Sequence, residues 1–219
     1  MKIAIDGTAA SGKGTLAKGL AKKLGFDYLD TGLLYRRLAL DICKKGLTKF
    51  NLINEKGIIP NANINILADI TLNLTLPLTD HPDLRKQEIS HLSGIIASIP
   101  EIREILFRKQ RAFANKPPSR AGVILDGRDI GSVILPEAKF KFFIDAKPKI
   151  RAKRRYTELK SLTTEIQEET ILEDLIKRDK ADRTRLIAPL KRVPDAFFID
   201  TSALNVDEVL QIALNYIKG

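Results

Sequence analysis

Short apolar runs alternate along the chain with stretches of helical spacing. Segments that predict strands lie at 2–6 (KIAID), 26–30 (FDYLD), 123–126 (VILD), 139–145 (KFKFFID) and 197–200 (FFID). Helices are predicted at about 12–24, 33–43, 87–98, 100–114, 148–160, 165–180 and 206–217. Strands that alternate with helices, several of them continuously apolar, are typical of a parallel sheet covered on both faces. The pattern therefore predicts an α/β fold, with a five-stranded parallel sheet and helices on both faces.

Residues 47–86 break this alternation. They are rich in Asn, Pro and Ile and show no helical period, which is typical of an insert. Within them, residues 70–76 (ITLNLTL) alternate between apolar and polar positions, which predicts a small half-buried strand. We therefore predict a single domain over 1–219. Its core comprises 1–46 and 100–219, and its insert covers about 47–99.

Three local signals predict helix ends. Gly25 is expected to stop the first helix, and Gly46 to cap the second at its C-terminus. Thr164 and Gln167 form a candidate capping box for the helix at 165–180.

The composition is that of a globular protein with an excess of positive charge. The 219 residues are 44% hydrophobic and 29% charged, with a net charge of +10. Residues 103–128 contribute +5 and residues 147–192 contribute +6, so the rest of the chain is nearly neutral. Two basic islands could bind a nucleic-acid backbone, or they could bind the phosphates of small anionic ligands. Charge alone leaves both readings open.

Other features of the composition exclude several classes of protein. Cys43 is the single cysteine and His81 and His91 are the only histidines, so neither a disulfide framework nor a histidine metal site is expected. No apolar run reaches the roughly 20 residues that span a bilayer. Asp6 interrupts the stretch in which a signal peptide would be apolar. We therefore expect a cytoplasmic protein with no membrane partner.

A glycine-rich stretch, GTAASGKGT, follows the first predicted strand and opens the first predicted helix. In this context the pattern G-x-x-x-x-G-K is typical of a phosphate-binding loop, in which backbone N–H groups and the helix N-terminus surround a polyphosphate. Lys13 is expected to reach the β- and γ-phosphates, and the Thr15 hydroxyl to serve a magnesium site. A turn that binds nothing is the alternative. The predicted ATP-binding residues are Gly7, Thr8, Ala9, Ala10, Ser11, Gly12, Lys13, Gly14 and Thr15.

Clusters of arginine outside this loop indicate what the triphosphate is used for. The guanine-reading Asn-Lys-x-Asp motif of a GTPase is absent, whereas a small-molecule kinase must bind a second anion opposite the γ-phosphate. Three segments offer suitable residues: DTGLLYRR at 30–37, LDGRDIG at 125–131 and RDKADRTR at 178–185, where Arg178, Asp182 and Arg185 have the spacing of one helical face. A fourth, RAKRR at 151–155, fits a lid that offsets charge on the transferred phosphoryl group.

Several of these segments together resemble the cytidylate kinase family. Its members are nucleoside-monophosphate kinases of the P-loop kinase class. The match extends over most of the chain, and LDTGLLYR, DGRDIGSVILP and RDKADRTRLIAPL are its most specific parts. The resemblance implies a monophosphate-binding insert and a helical lid at about 151–178. It also implies transfer of the γ-phosphate of ATP to CMP or dCMP, with Mg²⁺, in pyrimidine nucleotide metabolism.

The resemblance also implies roles for individual residues. Arg36, Arg128 and Arg185 match positions that hold the CMP phosphate, and Arg103 and Asp129 match the pair that reads cytosine. The remaining matches are Arg178 and Asp182 at the sugar, Thr31 and Tyr35 in the monophosphate pocket, and Arg151, Arg154 and Arg155 in the lid. Together with Lys13 and Arg128, the three lid arginines form the predicted catalytic group.

Two departures from the family pattern bear on base selection. Residues 64–86 are too short for the family's three-stranded insert sheet, and Gly94 stands where a serine often lies near the base. Other acceptors, such as UMP or AMP, therefore remain an alternative. A basic ATPase stimulated by nucleic acid is a second alternative, although the basic segments already have small-ligand roles. We expect a monomer with CMP, dCMP and ATP as its partners and no nucleic acid.

Overall fold

The computed structural model describes residues 1–54, 59–76, 78, 81–160 and 167–219. The strands are β1 (Lys2–Gly7), β2 (Asp27–Asp30), β3 (Val123–Gly127), β4 (Phe140–Asp145) and β5 (Phe197–Asp200). The helices are α1 (Lys13–Leu24), α2 (Thr31–Lys44), α3 (Lys49–Leu52), α4 (Asn61–Leu72), α5 (Gln87–Ile96), α6 (Pro100–Asn115), α7 (Pro148–Lys160), α8 (Glu168–Thr184) and α9 (Val206–Lys218). In this part of the chain, no helix is long and apolar enough to cross a membrane.

The strands form one sheet in the order β2-β3-β1-β4-β5. β1 runs parallel to both β3 and β4, and β4 runs parallel to β5. The register places Asp6 opposite Gly127, Gly7 opposite Ile144, and Asp145 opposite Asp200. The carboxyl ends of these strands therefore share one edge of the sheet, which confirms the five-stranded parallel prediction.

Both faces of the central strand β1 are buried. Ile3 and Ile5 point into an apolar cluster that also contains Leu20 of α1 and Val209 and Ala213 of α9. Ala4, between the two isoleucines, is also fully buried on the opposite face of the strand. Continuous apolar runs were the sequence signal for such strands, and that interpretation is confirmed.

The chain divides into two compact units. The first comprises Met1–Leu29 and Pro117–Gly219, and the second is the continuous stretch Asp30–Lys116. The second unit is larger than the predicted insert at about 47–99, because α2 packs against α4 and α5, and α6 packs against α4. The two flanking helices thus belong to the second unit rather than to the sheet-bearing core.

The prediction of a strand at 70–76 is wrong. Residues 61–72 form α4, whose buried positions are Leu67 and Thr71, followed by Leu74 just beyond the helix. These positions are four and three residues apart, as on one face of a helix. Leu72, which the alternating pattern required to be buried, is 61% exposed. This region has more apolar residues than buried positions. The alternation of apolar and polar residues at 70–76 therefore includes apolar residues that are exposed, and it does not mark a strand.

The helix ends predicted at Gly25 and Gly46 agree with the structure. Gly25 and Gly46 both have the left-handed conformation, with φ of 67° and 80°. After α2, the N–H of Gly46 donates to Cys43 and that of Leu47 donates to Ile42, which is a Schellman arrangement. Both predicted stops are confirmed. The capping box proposed for α8 rests on Thr164, which lies outside the described residues.

Candidate active site

The stretch from Gly7 to Thr15 connects β1 to α1 as a tight loop. Gly7 lies so close to β4 that a Cβ atom there would overlap the carbonyl oxygen of Ile144. Gly12 and Ala10 have positive φ values of 91° and 57°. Glycine adopts this left-handed region freely, whereas alanine does so only where surrounding contacts hold it. The backbone is therefore strained at Ala10 and tightly packed at Gly7.

Side chains hold three carbonyl oxygens of this loop. The Ser11 hydroxyl donates to the carbonyl of Thr8 at 3.0 Å. Arg151 Nη1 donates to the carbonyl of Ala9 at 3.1 Å, and the Thr201 hydroxyl donates to the carbonyl of Ser11 at 2.8 Å. The loop backbone is thus fixed by hydrogen bonds within the protein itself.

Asp145, the last residue of β4, attaches the loop to the sheet. Its Oδ1 accepts hydrogen bonds from the Thr8 hydroxyl at 2.6 Å and from the N–H of Ala146 at 2.8 Å. Its Oδ2 lies 3.3 Å from Nη2 of Arg183 near the end of α8. Asp145 is not among the residues predicted from the sequence. The available signal was an acidic residue closing a buried strand, but the sequence does not show that β4 lies beside β1.

Lys13, the first residue of α1, lies beside a second strand-end carboxylate. Its Nζ is 4.0 Å from Oδ2 of Asp126 on β3. Asp126 is only 2% exposed, and its Oδ1 accepts a hydrogen bond from the Tyr28 hydroxyl at 2.9 Å. Asp126 was also missed from the sequence, although it stands in the specific segment LDGRD. The lysine predicted to reach the phosphates therefore lies beside a buried carboxyl group at the sheet edge.

Oxygen atoms suited to Mg²⁺ lie at this end of α1. Thr15 is exposed in the first turn of the helix, and Asp126 offers its carboxylate beside Lys13. Within the described ranges, no group of three or more His, Cys, Asp or Glu could hold a metal ion. Mg²⁺ usually takes one or two protein ligands and completes its shell with phosphate oxygens and water. The donor set therefore fits Mg²⁺ that binds together with a polyphosphate.

A charged cluster lies beyond the carboxyl end of β3. Arg128 Nε donates to Oδ2 of Asp182 at 2.8 Å, and Arg185 has Nη1 3.8 Å from Asp182 and Nη2 3.8 Å from Asp129. Burial alone would raise the pKa of Asp182, but Arg128, and after it Arg178, hold that pKa below its usual value. Asp182 is therefore ionised at neutral pH.

The helical spacing predicted for this cluster needs one correction. α8 ends at Thr184, and Arg185 has extended backbone with φ −61° and ψ 141°. Its Nε donates to the carbonyl of Ala188 at 2.7 Å, so the short loop after the helix positions the guanidinium. Arg185 still lies beside Asp182, but it does so from that loop and not from the helix face.

Asp6 supports the turn that follows Arg128 and Asp129. Its two carboxylate oxygens accept hydrogen bonds from the N–H groups of Ile130 at 2.8 Å and Gly131 at 2.7 Å. Burial raises the pKa of Asp6 to about 7, although the two backbone hydrogen bonds act to lower it. A residue of the central strand thus fixes the backbone next to the predicted acceptor-binding residues.

The second unit contains four of the predicted acceptor residues. Arg103 on α6 is 8% exposed, and its Nη1 donates to the Tyr35 hydroxyl at 3.4 Å and to the carbonyl of Ala97 at 3.2 Å. Thr31 is the buried first residue of α2, and Tyr35 and the half-buried Arg36 follow one turn later. Within this unit, Arg103 and Tyr35 are therefore brought into contact.

The three predicted lid arginines on α7 have different surroundings. Arg151 is 2% exposed and contacts the phosphate loop, as described above. Arg154 donates to the hydroxyl and the carbonyl oxygen of Thr201, at 2.9 and 2.6 Å. Arg155 forms an ion pair with Glu158 on its own helix at 2.8 Å. The lid role stays a prediction for this segment.

Comparison with known proteins gives similarity over nearly the whole chain. The family model described as cytidylate kinase matches residues 3–219. The cytidylate kinase of Caldanaerobacter subterraneus is 43% identical over 215 residues, which cover 96% of this chain and 92% of that protein. The cytidylate kinase of Bradyrhizobium diazoefficiens is 41% identical over 219 residues, covering 100% of this chain and 96% of that protein.

A solved structure agrees with the fold. The crystal structure of an uncharacterized protein from Eubacterium ventriosum has a TM-score of 0.56 and 16% sequence identity. The match covers 100% of this chain and 99% of that one. At this level of identity, the similarity concerns the fold alone.

Proposed function

Because the chain belongs to the cytidylate kinase family, we propose that it transfers the γ-phosphate of ATP to CMP or dCMP, giving ADP and CDP or dCDP. One observation carries the proposal within the structure. The phosphate loop follows the carboxyl end of β1, and the arginine cluster lies beyond the carboxyl end of β3. These two strands are neighbours in the sheet, and Asp6 at the end of β1 lies opposite Gly127 at the end of β3. The two sites thus open on the same sheet edge, where parallel sheets bind ligands.

The donor end of this site is built from backbone and one lysine. N–H groups of the loop and the N-terminus of α1 would bind the phosphates of ATP, since both present partial positive charge. Lys13 adds a full charge at the β- and γ-phosphates, and Asp126 keeps its ammonium group at the sheet edge. Thr15 and Asp126 would hold Mg²⁺, which neutralises charge on the phosphate oxygens when it is bound.

The acceptor phosphate would be held by guanidinium groups. Arg128 and Arg185, which lie in one cluster with Asp182, are assigned to this phosphate, and the family resemblance implies the same role for Arg36. Planar guanidinium groups suit this task because each can donate two parallel hydrogen bonds to one phosphate. Arg178 and Asp182 would contact the sugar, and Thr31 and Tyr35 would line the pocket.

Base recognition is assigned to Asp129 and Arg103. Asp129 can accept a hydrogen bond from the C4 amine of cytosine, and Arg103 can donate to the O2 and N3 edge. Uracil carries a carbonyl at C4, so Asp129 would then face another acceptor. An unpaired polar group in a buried site lowers affinity strongly, and this supports a preference for CMP.

Transfer itself needs no covalent intermediate with the protein. An oxygen of the acceptor phosphate attacks the γ-phosphorus, and the bond to the β–γ bridging oxygen breaks to release ADP. The protein holds both nucleotides in line and excludes water, while Lys13 and the arginines offset the charge of the transferred group. The lid arginines predicted for this step are Arg151, Arg154 and Arg155 on α7.

A panel assay tests the proposal. The purified protein is given ATP and Mg²⁺ with CMP, dCMP, UMP or AMP, and each nucleoside diphosphate is separated and quantified. We expect CMP and dCMP to react at least about tenfold faster than UMP and AMP, as a lost polar contact implies. The Lys13→Ala variant, purified identically, controls for contaminating kinases. Equal rates with all acceptors, or ATP hydrolysis stimulated only by polynucleotide, would contradict the proposal.

A further inference from the structure

We propose that Arg151 is a positioning residue of the phosphate loop, which orients the Ala9–Ala10 peptide group toward the donor's phosphates. This inference rests on the proposed function, since it concerns the binding of the same nucleotide donor. It assigns Arg151 a role different from the direct contact with the transferred phosphoryl group that the lid resemblance implies.

The first support is that the guanidinium of Arg151 is already engaged on three sides. Its Nε donates to the carbonyl of Ala146 at 2.7 Å, and its Nη1 donates to the carbonyl of Ala9 at 3.1 Å. Its Nη2 forms an ion pair with Oδ2 of Asp179 at 2.6 Å. The side chain is 3% exposed, so moving the guanidinium group to a new position would break a buried ion pair and two hydrogen bonds.

The second support is the geometry of a trans peptide. The C=O of Ala9 and the N–H of Ala10 belong to one planar group and point in opposite directions. Holding the carbonyl against Arg151 therefore directs the Ala10 N–H away from α7. A phosphate-binding loop works through backbone N–H groups that are directed at the ligand before it arrives. Arg151 thus acts on the donor through the backbone.

The same principle applies to the neighbouring peptides of the loop. Ser11 holds the carbonyl of Thr8, whose peptide carries the N–H of Ala9. Thr201 holds the carbonyl of Ser11, whose peptide carries the N–H of Gly12. Of the three side chains that bind carbonyl oxygens of the loop, only Arg151 is charged. The peptide group that it binds lies between the peptide groups bound by Ser11 and Thr201.

Strain at Ala10 explains why this peptide needs a strong contact. Its φ of 57° lies in the left-handed region, which a residue with a Cβ atom enters only when its surroundings hold it there. The carbonyl that Arg151 binds belongs to the residue immediately before Ala10. Without the guanidinium, we expect the Ala9–Ala10 peptide to rotate and its N–H to lose the phosphates.

Arg151 also connects the loop to α8. Asp179 lies on α8 between Arg178 and Asp182, two residues assigned to the acceptor's sugar. Its second oxygen, Oδ1, is buried and makes no hydrogen bond to the described residues. Removing Arg151 alone would therefore leave a buried unpaired carboxylate and risk unfolding the protein. The test must replace both members of the pair.

The test measures donor binding without any acceptor. The Arg151→Met/Asp179→Leu double variant replaces the ion pair with apolar side chains beside Ala152, Ile171 and Leu175, which form an apolar cluster at this place. Lys153→Met, at an exposed position of the same helix, removes a charge without touching the loop. Calorimetric titration with ATP and with ADP gives the dissociation constants, and thermal unfolding verifies that each variant is folded.

The comparison of ATP with ADP separates the two roles of Arg151. If Arg151 orients a peptide N–H, the double variant loses about tenfold affinity for ADP as well as for ATP, because the loop amides bind the phosphates that both share. Lys153→Met binds both nucleotides normally. A loss confined to ATP would assign Arg151 to the γ-phosphate and overturn the proposal, and so would unchanged affinity for both.

A second variant covers a failure of the double variant to fold. Arg151→Lys keeps the charge, but a single ammonium group cannot reach Ala9, Ala146 and Asp179 together. We expect it to lose affinity for ADP and ATP in equal proportion, and normal binding of both would also overturn the proposal. If the unsubstituted protein bound neither nucleotide, the proposed kinase function would fail instead. The two hypotheses are therefore distinguishable.

Discussion

Arg128 donates from Nε to Oδ2 of Asp182 at 2.8 Å, and both side chains are largely buried, with 15% and 17% of their surfaces exposed. This ion pair joins the residue directly after β3 to α8. Because Nε is used by Asp182, the proposed contact of Arg128 with the acceptor's phosphate would have to be made through its Nη groups. The ion pair therefore fixes the orientation of the guanidinium group.

Arg128→Lys tests this orientation. A lysine keeps the charge but offers one ammonium group in place of two separate donor positions, so it cannot serve Asp182 and a phosphate in the same geometry. We expect KM for CMP to rise by about tenfold or more, while KM for ATP changes much less. Steady-state kinetics with each nucleotide varied in turn measure both. Arg120→Lys, in an exposed loop, is the matched control, and equal changes in both variants would refute the orientation role.

Lys13→Ala addresses the donor end. Lys13 begins α1 beside the buried Asp126, so the substitution removes the cation assigned to the β- and γ-phosphates and takes away one charged neighbour of that carboxylate. We expect kcat to fall by at least about a hundredfold, which is typical of losing a preorganised electrostatic contact. Lys18→Ala, at an exposed position of the same helix, should retain normal turnover. A Lys13→Ala variant with near-normal kcat would exclude the assigned role.

Asp129 substitutions address the choice of base. Asp129 is 7% exposed, and its carboxylate lies 3.8 Å from the guanidinium group of Arg185. Asp129→Ala should lose most of the preference for CMP over UMP, because the acceptor for the C4 amine is gone. Asp129→Asn should raise the relative rate with UMP further, since an amide can donate to the C4 carbonyl. The ratio of kcat/KM for the two substrates measures this, and an unchanged ratio removes Asp129 from base reading.

The shifted pKa of Asp6 makes the free energy of unfolding depend on pH. Its pKa is raised from 3.8 to about 7, chiefly by burial, so the folded state holds this proton more tightly than the unfolded chain does. The resulting stabilisation is complete below about pH 4 and is lost as the pH rises through 7. Asp6→Asn cannot titrate, so its destabilisation relative to the unsubstituted protein should be larger at pH 5 than at pH 8, by up to about 3 kcal/mol.

Urea unfolding at the two pH values measures this difference. Asp200→Asn is a suitable control, because that carboxylate has a lowered pKa, set first by its bond to Ser202, and titrates well below pH 5. A destabilisation by Asp6→Asn that is equal at pH 5 and pH 8 would show that Asp6 does not carry the shifted titration.

The strands and the phosphate loop could be predicted from the sequence because their signals are local. Buried parallel strands need continuous apolar runs, and the loop needs glycine at fixed positions, as the contact between Gly7 and the backbone of Ile144 illustrates. The region of α4 lacked such a signal. Its buried residues, Leu67 and Thr71, are set by packing within the second unit, and that packing cannot be read from alternation.

The roles of charged residues were harder to predict because they depend on distant contacts. Arg151 and the carbonyl of Ala9 are 142 residues apart in the chain, and Asp145 and Thr8 are 137 apart. The sequence marked RAKRR as a basic segment and indicated phosphate binding. The contact between Arg151 and the loop depends on the order of the strands in the sheet, and the sequence does not give that order.

The order of strands also has a consequence for synthesis of the protein. β1 is made first, but its two neighbours, β3 and β4, begin only at Val123 and Phe140. A chain emerging from the ribosome therefore completes Asp30–Lys116, a continuous unit, while β1 still lacks partners. Proteolysis of chains stalled at successive lengths should show this unit protected before the first thirty residues. The loop that follows β1 is thus translated before Asp30–Lys116 but gains its neighbouring strands only after that unit is complete.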